Sequence, residues 1–168
     1  QYSDGTARAE GMWRYNGTDW VRIGGGSGDI VSDWVDFTPT FTNFTLGNGT
    51  IDFRYRRVGS NMEIIGQVNL GSTSSVTGDF RFDLPNGLSA DADTRDILGQ
   101  AAFLDNGTDS INGFTRLTAT DGNVVIARYW DADNGDGVIN ATSPFTWASG
   151  DQINVSVNVP IQGWAVGS

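Results

Sequence analysis

The chain has 168 residues, enough for one domain with a sizeable buried core, and it contains neither cysteine nor histidine. These two absences exclude disulfides, cysteine-based zinc sites and every catalytic triad that depends on imidazole. With 20 acidic and 10 basic residues the net charge is −10, and a negative field of this size argues against nucleic acid as a partner.

The first predicted element is a two-stranded ribbon over residues 11–23. Asn16-Gly17, a dipeptide typical of tight hairpin turns, lies there between two runs rich in aromatic residues. The Gly-Gly-Gly-Ser-Gly run at 24–28 has the composition of a flexible linker. We therefore predict a short tryptophan-rich β-ribbon with a Gly/Ser linker over 1–28 and a head domain over 29–168. Because Gln1 replaces the usual Met, we expect this unit to come from a longer polypeptide.

The clearest strand signal lies in residues 50–70. Two runs with a period of two meet at Gly59-Ser60, and each run places its apolar residues on one face and its polar residues on the other. The apolar positions are Ile51, Phe53, Tyr55, Met62, Ile64 and Val68. Since Gly59 can adopt the positive φ that a tight turn between twisted strands requires, a β-hairpin is predicted here.

The rest of the chain continues with short alternating runs separated by turn residues, and no window carries apolar residues at helical spacing. Further strands are predicted at 80–84, 97–104, 114–120, 124–130 and 153–159, and a loop is predicted at 88–96. About eight strands at this spacing indicate a sandwich. The predicted fold class is therefore all-β: a jelly-roll-like antiparallel β-sandwich, preceded by the short β-hairpin and the Gly-rich linker.

Several framework segments resemble the C-terminal domains of bacteriophage tail fibre proteins. They are residues 34–41, 53–59, 62–66, 82–85 and 150–164. The ribbon at 11–23 is similar to the short tryptophan ribbons that precede such domains in fibre and spike proteins. The resemblance implies a homotrimer of jelly-roll-like heads at the tip of a virion's tail fibre. Such a head is extracellular, joins the rest of the fibre on its N-terminal side and binds a receptor on the host cell surface.

The framework aromatic residues have two interpretations, core and interface. Trp34, Trp147 and Trp164 stand near prolines at strand ends, where tryptophans usually cover a core or an interface between copies rather than contact a ligand. The phenylalanines that could line a threefold axis, or equally belong to the ordinary core, are Phe80, Phe103, Phe114 and Phe145.

The candidate receptor-binding segment is 129–137, where two aromatic residues run directly into a loop of carboxylates and amides. Glycan recognition uses this mixture, because a flat ring stacks on a sugar face while planar polar groups bind the hydroxyls. The predicted receptor-binding residues are Tyr129, Trp130, Asp131, Asp133, Asn134 and Asp136. A plain turn that tolerates left-handed backbone is the alternative interpretation of such an Asp/Asn/Gly loop.

The same segment fails to match a calcium-binding loop. Counted from Asp131, Asp136 stands where glycine must make the turn, and Thr142 stands where a bidentate acid is required. Counted from the next residue, the first ligand is Ala132. We therefore predict no metal site and no cofactor.

These observations favour a non-enzymatic receptor-binding head whose ligand is a glycan or a protein. A glycosidase needs one carboxylic acid buried enough to stay protonated, whereas the acids here cluster in glycine-rich loops. No apolar run approaches the ~18 residues of a membrane span, so membrane insertion is not expected. Two other functions remain open, a structural trimerisation or virion decoration domain and a secreted carbohydrate-binding module.

Overall fold

The computed structural model describes two sheets within residues 12–15, 18, 20–23, 31–92, 94, 97–118, 121–131 and 135–164. The predicted linker at 24–28 and the Asn16-Gly17 turn lie outside the described residues. No helix in the described part of the chain is long and apolar enough to cross a membrane.

The predicted ribbon is present as a two-stranded antiparallel sheet. Strand β1 is Met12–Tyr15 and strand β2 is Trp20–Ile23, and Trp13 is paired with Arg22. An isolated two-stranded ribbon of this length is marginally stable in water.

The remaining ten strands form a second sheet, in which every pair of neighbours is antiparallel. They are β3 (Val35–Asp36), β4 (Phe41–Thr45), β5 (Thr50–Val58), β6 (Asn61–Asn69), β7 (Ser75–Asp83), β8 (Ile97–Asp105), β9 (Asp109–Thr118), β10 (Asp121–Asp131), β11 (Gly135–Gly137) and β12 (Gln152–Pro160). The strand order is β3-β5-β6-β12-β8-β9-β10-β7-β4, and β11 pairs with the end of β10. The predicted antiparallel all-β class is confirmed.

The β5–β6 hairpin has the predicted turn. Val58 pairs with Asn61 across the two-residue turn, and Gly59 adopts a φ of 63°. The predicted apolar face is the buried one: Phe53, Met62, Ile64 and Val68 are all buried. The alternation in the sequence thus assigns both faces of this hairpin.

The long sheet curls until its two halves pack on each other as the layers of a sandwich do. Phe41 in β4 and Phe53 in β5 lie near opposite ends of the strand order, yet their ring centroids are 5.9 Å apart. Phe53 also packs edge-on against Phe82 of β7, at 5.3 Å. Burial of each such ring contributes about 2–3 kcal/mol, so this cluster holds the curl.

The framework aromatic residues divide between core and surface. Phe80 and Phe103 are fully buried, so they belong to the core and cannot line an axis between copies. Trp147 and Trp164 pack against the edge of the core, as predicted. Trp34 differs, because it is 37% exposed and stacks under the guanidinium of Arg56, 4.6 Å from the ring centroid.

The chain enters and leaves the large sheet at the same place, the turn between β5 and β6. On entry, Val31 bridges Val58; on exit, the Ile161 amide donates a hydrogen bond to the Ser60 carbonyl. We call this the Gly59 end of the sheet. The opposite end, which we call the Gly107 end, carries the β8–β9 turn, and β10 runs towards it.

Candidate functional site

The candidate segment forms a short hairpin at the far end of β10. Strand β11 folds back on β10, with Tyr129 opposite Gly137, Trp130 opposite Asp136 and Asp131 opposite Gly135. Residues 132–134 lie outside the described residues, and so do the predicted site residues Asp133 and Asn134. The side chain of Asp131 is likewise not described.

Tyr129 faces the core and anchors the hairpin. Its ring packs against the core cluster and covers Gly137, where an added Cβ would lie 2.4 Å from the ring carbons. Only glycine allows β11 to approach so closely. Tyr129 therefore acts here as a packing residue beneath the predicted site.

Trp130 faces the outside of the sheet and is held there by a second aromatic ring. Its ring centroid is 4.4 Å from that of Phe114 on β9, at an interplanar angle of 38°. Phe114 is 6% exposed whereas Trp130 is 54% exposed. Within the described residues, no acceptor bonds the indole Nε1. The tryptophan thus presents an open, supported ring face to solvent.

Asp136 belongs to an ion-pair network on the outer face rather than to a free acidic loop. Its Oδ2 lies 3.1 Å from Arg116 Nη1 and 3.3 Å from Arg128 Nη1. Arg128 also reaches Asp79, with Nη2 2.9 Å from Oδ2, and Arg81 pairs with the same Asp79 oxygen at 3.3 Å. Because Arg128 bonds both carboxylates, it ties β7, β10 and β11 together.

A shallow groove runs beside Trp130 across β8, β9 and β10. Its side-chain lining comes from Ile97, Gln100, Asn112, Phe114 and Trp130, and main chain at residues 99, 101 and 113 completes it. The volume is about 560 Å³, within the ~300–1,000 Å³ that is usual for ligand sites. None of the lining residues is charged. We call this surface the Trp130 groove.

The sequence pattern misses Gln100, Asn112 and Phe114 as site residues because nothing local brings them to Trp130. Tyr129 pairs with Gly113, so the next residues, Trp130 and Asn112, are neighbours on the outer face. Gln100 lies opposite Phe114 in the β8–β9 pairing. The only available signal is that both amides stand at outward positions of alternating strands.

The described residues contain no group of three or more acidic side chains that could hold a metal ion. The described acid nearest to Trp130 in the hairpin, Asp136, has arginine partners instead. The arrangement in this region is thus a supported aromatic ring, two exposed amides and a cluster of arginines held in ion pairs.

The chain is similar to a phage tail fibre protein. No protein family model matches the sequence. Over 128 residues, 75% of the chain, it is 30% identical to the Mu-like prophage FluMu defective tail fibre protein of Haemophilus influenzae, and the match covers 19% of that protein. The chain thus spans about a fifth of this relative. The resemblance to a phage tail fibre domain is confirmed.

The fold has a counterpart among solved structures. The Dettilon tailspike protein superimposes with a TM-score of 0.53 at 16% sequence identity. The matched region is 77% of this chain and 24% of the tailspike chain. At this level of identity the likeness is one of fold.

Proposed function

We propose that the chain is the receptor-binding head of a phage tail fibre, which attaches the virion to a glycan on the host cell surface without catalysis. The relationship to a tail fibre protein supports the fibre role. In this proposal the head stands at the fibre tip, outside the host cell, and acts as a homotrimer.

The observation that carries the proposal is the exposed, ring-supported Trp130. Tryptophan is enriched at binding interfaces because its ring offers a large contact area, and stacking on Phe114 fixes the orientation of Trp130 before a ligand arrives. A pre-oriented ring loses little conformational entropy on binding. Of the predicted residues, we assign ligand contact to Trp130, Asp131, Asp133 and Asn134, and positioning to Tyr129 and Asp136.

The direction of the chain supports the placement of this site away from the fibre. Both connections of the large sheet lie at the Gly59 end, whereas β10 carries Trp130 towards the Gly107 end. With the rest of the fibre joined on the N-terminal side, beside Val31, the Gly107 end faces the host. A trimer would then present three sites in the same direction.

A structural trimerisation or decoration domain is the competing function, and cell binding separates the two. The labelled chain is incubated with intact cells of a panel of bacterial strains, and bound fluorescence is measured by flow cytometry. We expect saturable binding to at least one strain and a loss of about 30-fold in affinity for Trp130→Ala, the size typical of a central tryptophan contact.

The matched control is Trp34→Ala, which removes the partly exposed tryptophan at the Gly59 end and should leave cell binding unchanged. Equal binding by wild type and Trp130→Ala would remove the proposed site. Absence of binding to every strain, with the protein folded, would favour the structural function.

A further inference from the structure

We infer that the Trp130 groove binds an uncharged sugar segment, whose hydroxyl groups form hydrogen bonds with Gln100 and Asn112 on the open face of the sheet. The inference rests on the proposed function and deepens it, because it adds the sheet surface beside Trp130 to the loop at 131–136 and names the ligand's charge class.

The first argument is that the Trp130 ring and two amide side chains lie on the same face of the sheet. Trp130, Asn112 and Gln100 project from the same side of three adjacent strands, which are about 4.8 Å apart. The ring face attracts the polarised C–H groups of a pyranose, since its π-system is negative at the face. A ligand lying across the strands would meet the ring and then both amides.

The second argument is that these polar groups have no partner in the part of the chain that the structure describes. Gln100 and Asn112 are exposed, and within the described residues neither side-chain amide makes a hydrogen bond. Each amide offers two N–H donors and one carbonyl acceptor. Sugar hydroxyls both donate and accept, so an amide can bind adjacent hydroxyls in a way that a carboxylate, which only accepts, cannot.

The third argument concerns charge. No groove residue is charged, and the nearby arginines Arg116 and Arg128 are held in ion pairs with carboxylates outside the groove. The net charge of −10 opposes the approach of an anionic polymer. The polar side chains that line the groove are amides, which suit the hydroxyls of a neutral sugar.

The test is a glycan array that carries bacterial oligosaccharides in matched neutral and acidic forms, the latter bearing uronic acid or phosphate. We expect the full chain to bind neutral forms, with an affinity that changes less than twofold between low salt and about 0.5 M NaCl. Trp130→Ala should weaken binding at least tenfold, and Asn112→Ala and Gln100→Ala about fivefold each. Solution mass and thermal unfolding of each variant are recorded alongside.

The control variant is Gln162→Ala, which removes an exposed amide beyond the end of β12 at the Gly59 end and should bind as wild type does. Binding only to acidic forms, weakened by salt, would overturn the inference while leaving receptor binding intact. So would cell binding that survives all three groove substitutions. A fall in solution mass in the groove variants would show instead that a second copy covers the groove. If the protein binds neither the cells nor the array, the proposed function itself is wrong.

Discussion

Arg128 shows how one side chain can support a binding surface without touching a ligand. It bonds Asp79 and Asp136, and Asp79 is only 9% exposed. Removal of one partner of such a buried pair strands a charge in a poorly solvated place. The network therefore positions the β10–β11 hairpin. A substitution in it should lower the free energy of unfolding and disturb the position of Trp130.

We expect Arg128→Met to lower the free energy of unfolding by about 3 kcal/mol, because Asp79 keeps only Arg81. The measurement is urea denaturation followed by circular dichroism. Arg54→Met is the control: its pair with Asp52 spans 4.0 Å between exposed side chains and should contribute less than about 0.5 kcal/mol. Equal losses in the two variants would show that burial does not set the strength of these pairs.

Gly66 is a second residue whose role depends on a single contact. It lies opposite Phe53 in the β5–β6 pairing, and an added Cβ would lie 2.3 Å from the Phe53 ring. We expect Gly66→Ala to destabilise the fold by about 1–3 kcal/mol through overpacking. A double-mutant cycle with Phe53→Leu should show a coupling of at least ~0.5 kcal/mol, and additive losses would contradict the contact.

At the scale of elements, the Gly107 end depends on a buried carboxylate. Asp151 is almost fully buried, and it accepts hydrogen bonds from the backbone amides of Asn106 at 2.9 Å and Ala148 at 2.6 Å, one at each oxygen. It thereby joins the β8–β9 turn to the segment before β12. Replacement of one oxygen would leave one of the two turns without its acceptor.

We expect Asp151→Asn to cost about 2 kcal/mol of unfolding free energy, since an amide can accept at one oxygen only and turns its NH₂ group towards a backbone N–H. Hydrogen exchange should then be faster at whichever of the Asn106 and Ala148 amides loses its acceptor. The comparison is Asp109→Asn, an exposed acid whose Oδ1 accepts from the adjacent Ser110 amide. Unchanged exchange at both Asn106 and Ala148 in Asp151→Asn would argue against the anchor.

The elements themselves could be predicted from the sequence where local patterns define them. Alternation gives β5, β6 and β12 with their faces, and Asn106-Gly107 marks the β8–β9 turn, where Gly107 has a φ of 82°. The short strands β3 and β11 escape prediction because two or three residues carry no period. In β10, alternation places Tyr129 and Trp130 on opposite faces of the sheet. The prediction nevertheless assigns both to one site because they are adjacent in sequence.

At the scale of the whole molecule, the site could not be predicted because it depends on strand order. Strand β12 lies between β6 and β8, far from both in sequence, and β9 stands beside β10. No local signal states that Asn112 will neighbour Trp130. The ion network has the same origin, since Asp79 and Arg128 are 49 residues apart. The resemblance to tail fibres predicts the architecture, whereas the groove is formed by the pairing of strands that are distant in sequence.

The last prediction concerns the assembled head. If three copies present their grooves in one direction, linked sites raise the effective affinity by about 10²–10⁴ without any new contact. We expect light scattering to give three times the mass of one chain. Binding to densely immobilised receptor should then be much tighter than binding to the same glycan at sparse density, while free monosaccharide competes weakly. Trp130→Ala should keep the threefold mass and lose the binding at both densities. A stable single-chain mass with equal affinity at both densities would contradict the trimer. It would indicate a monomeric carbohydrate-binding module that binds without avidity.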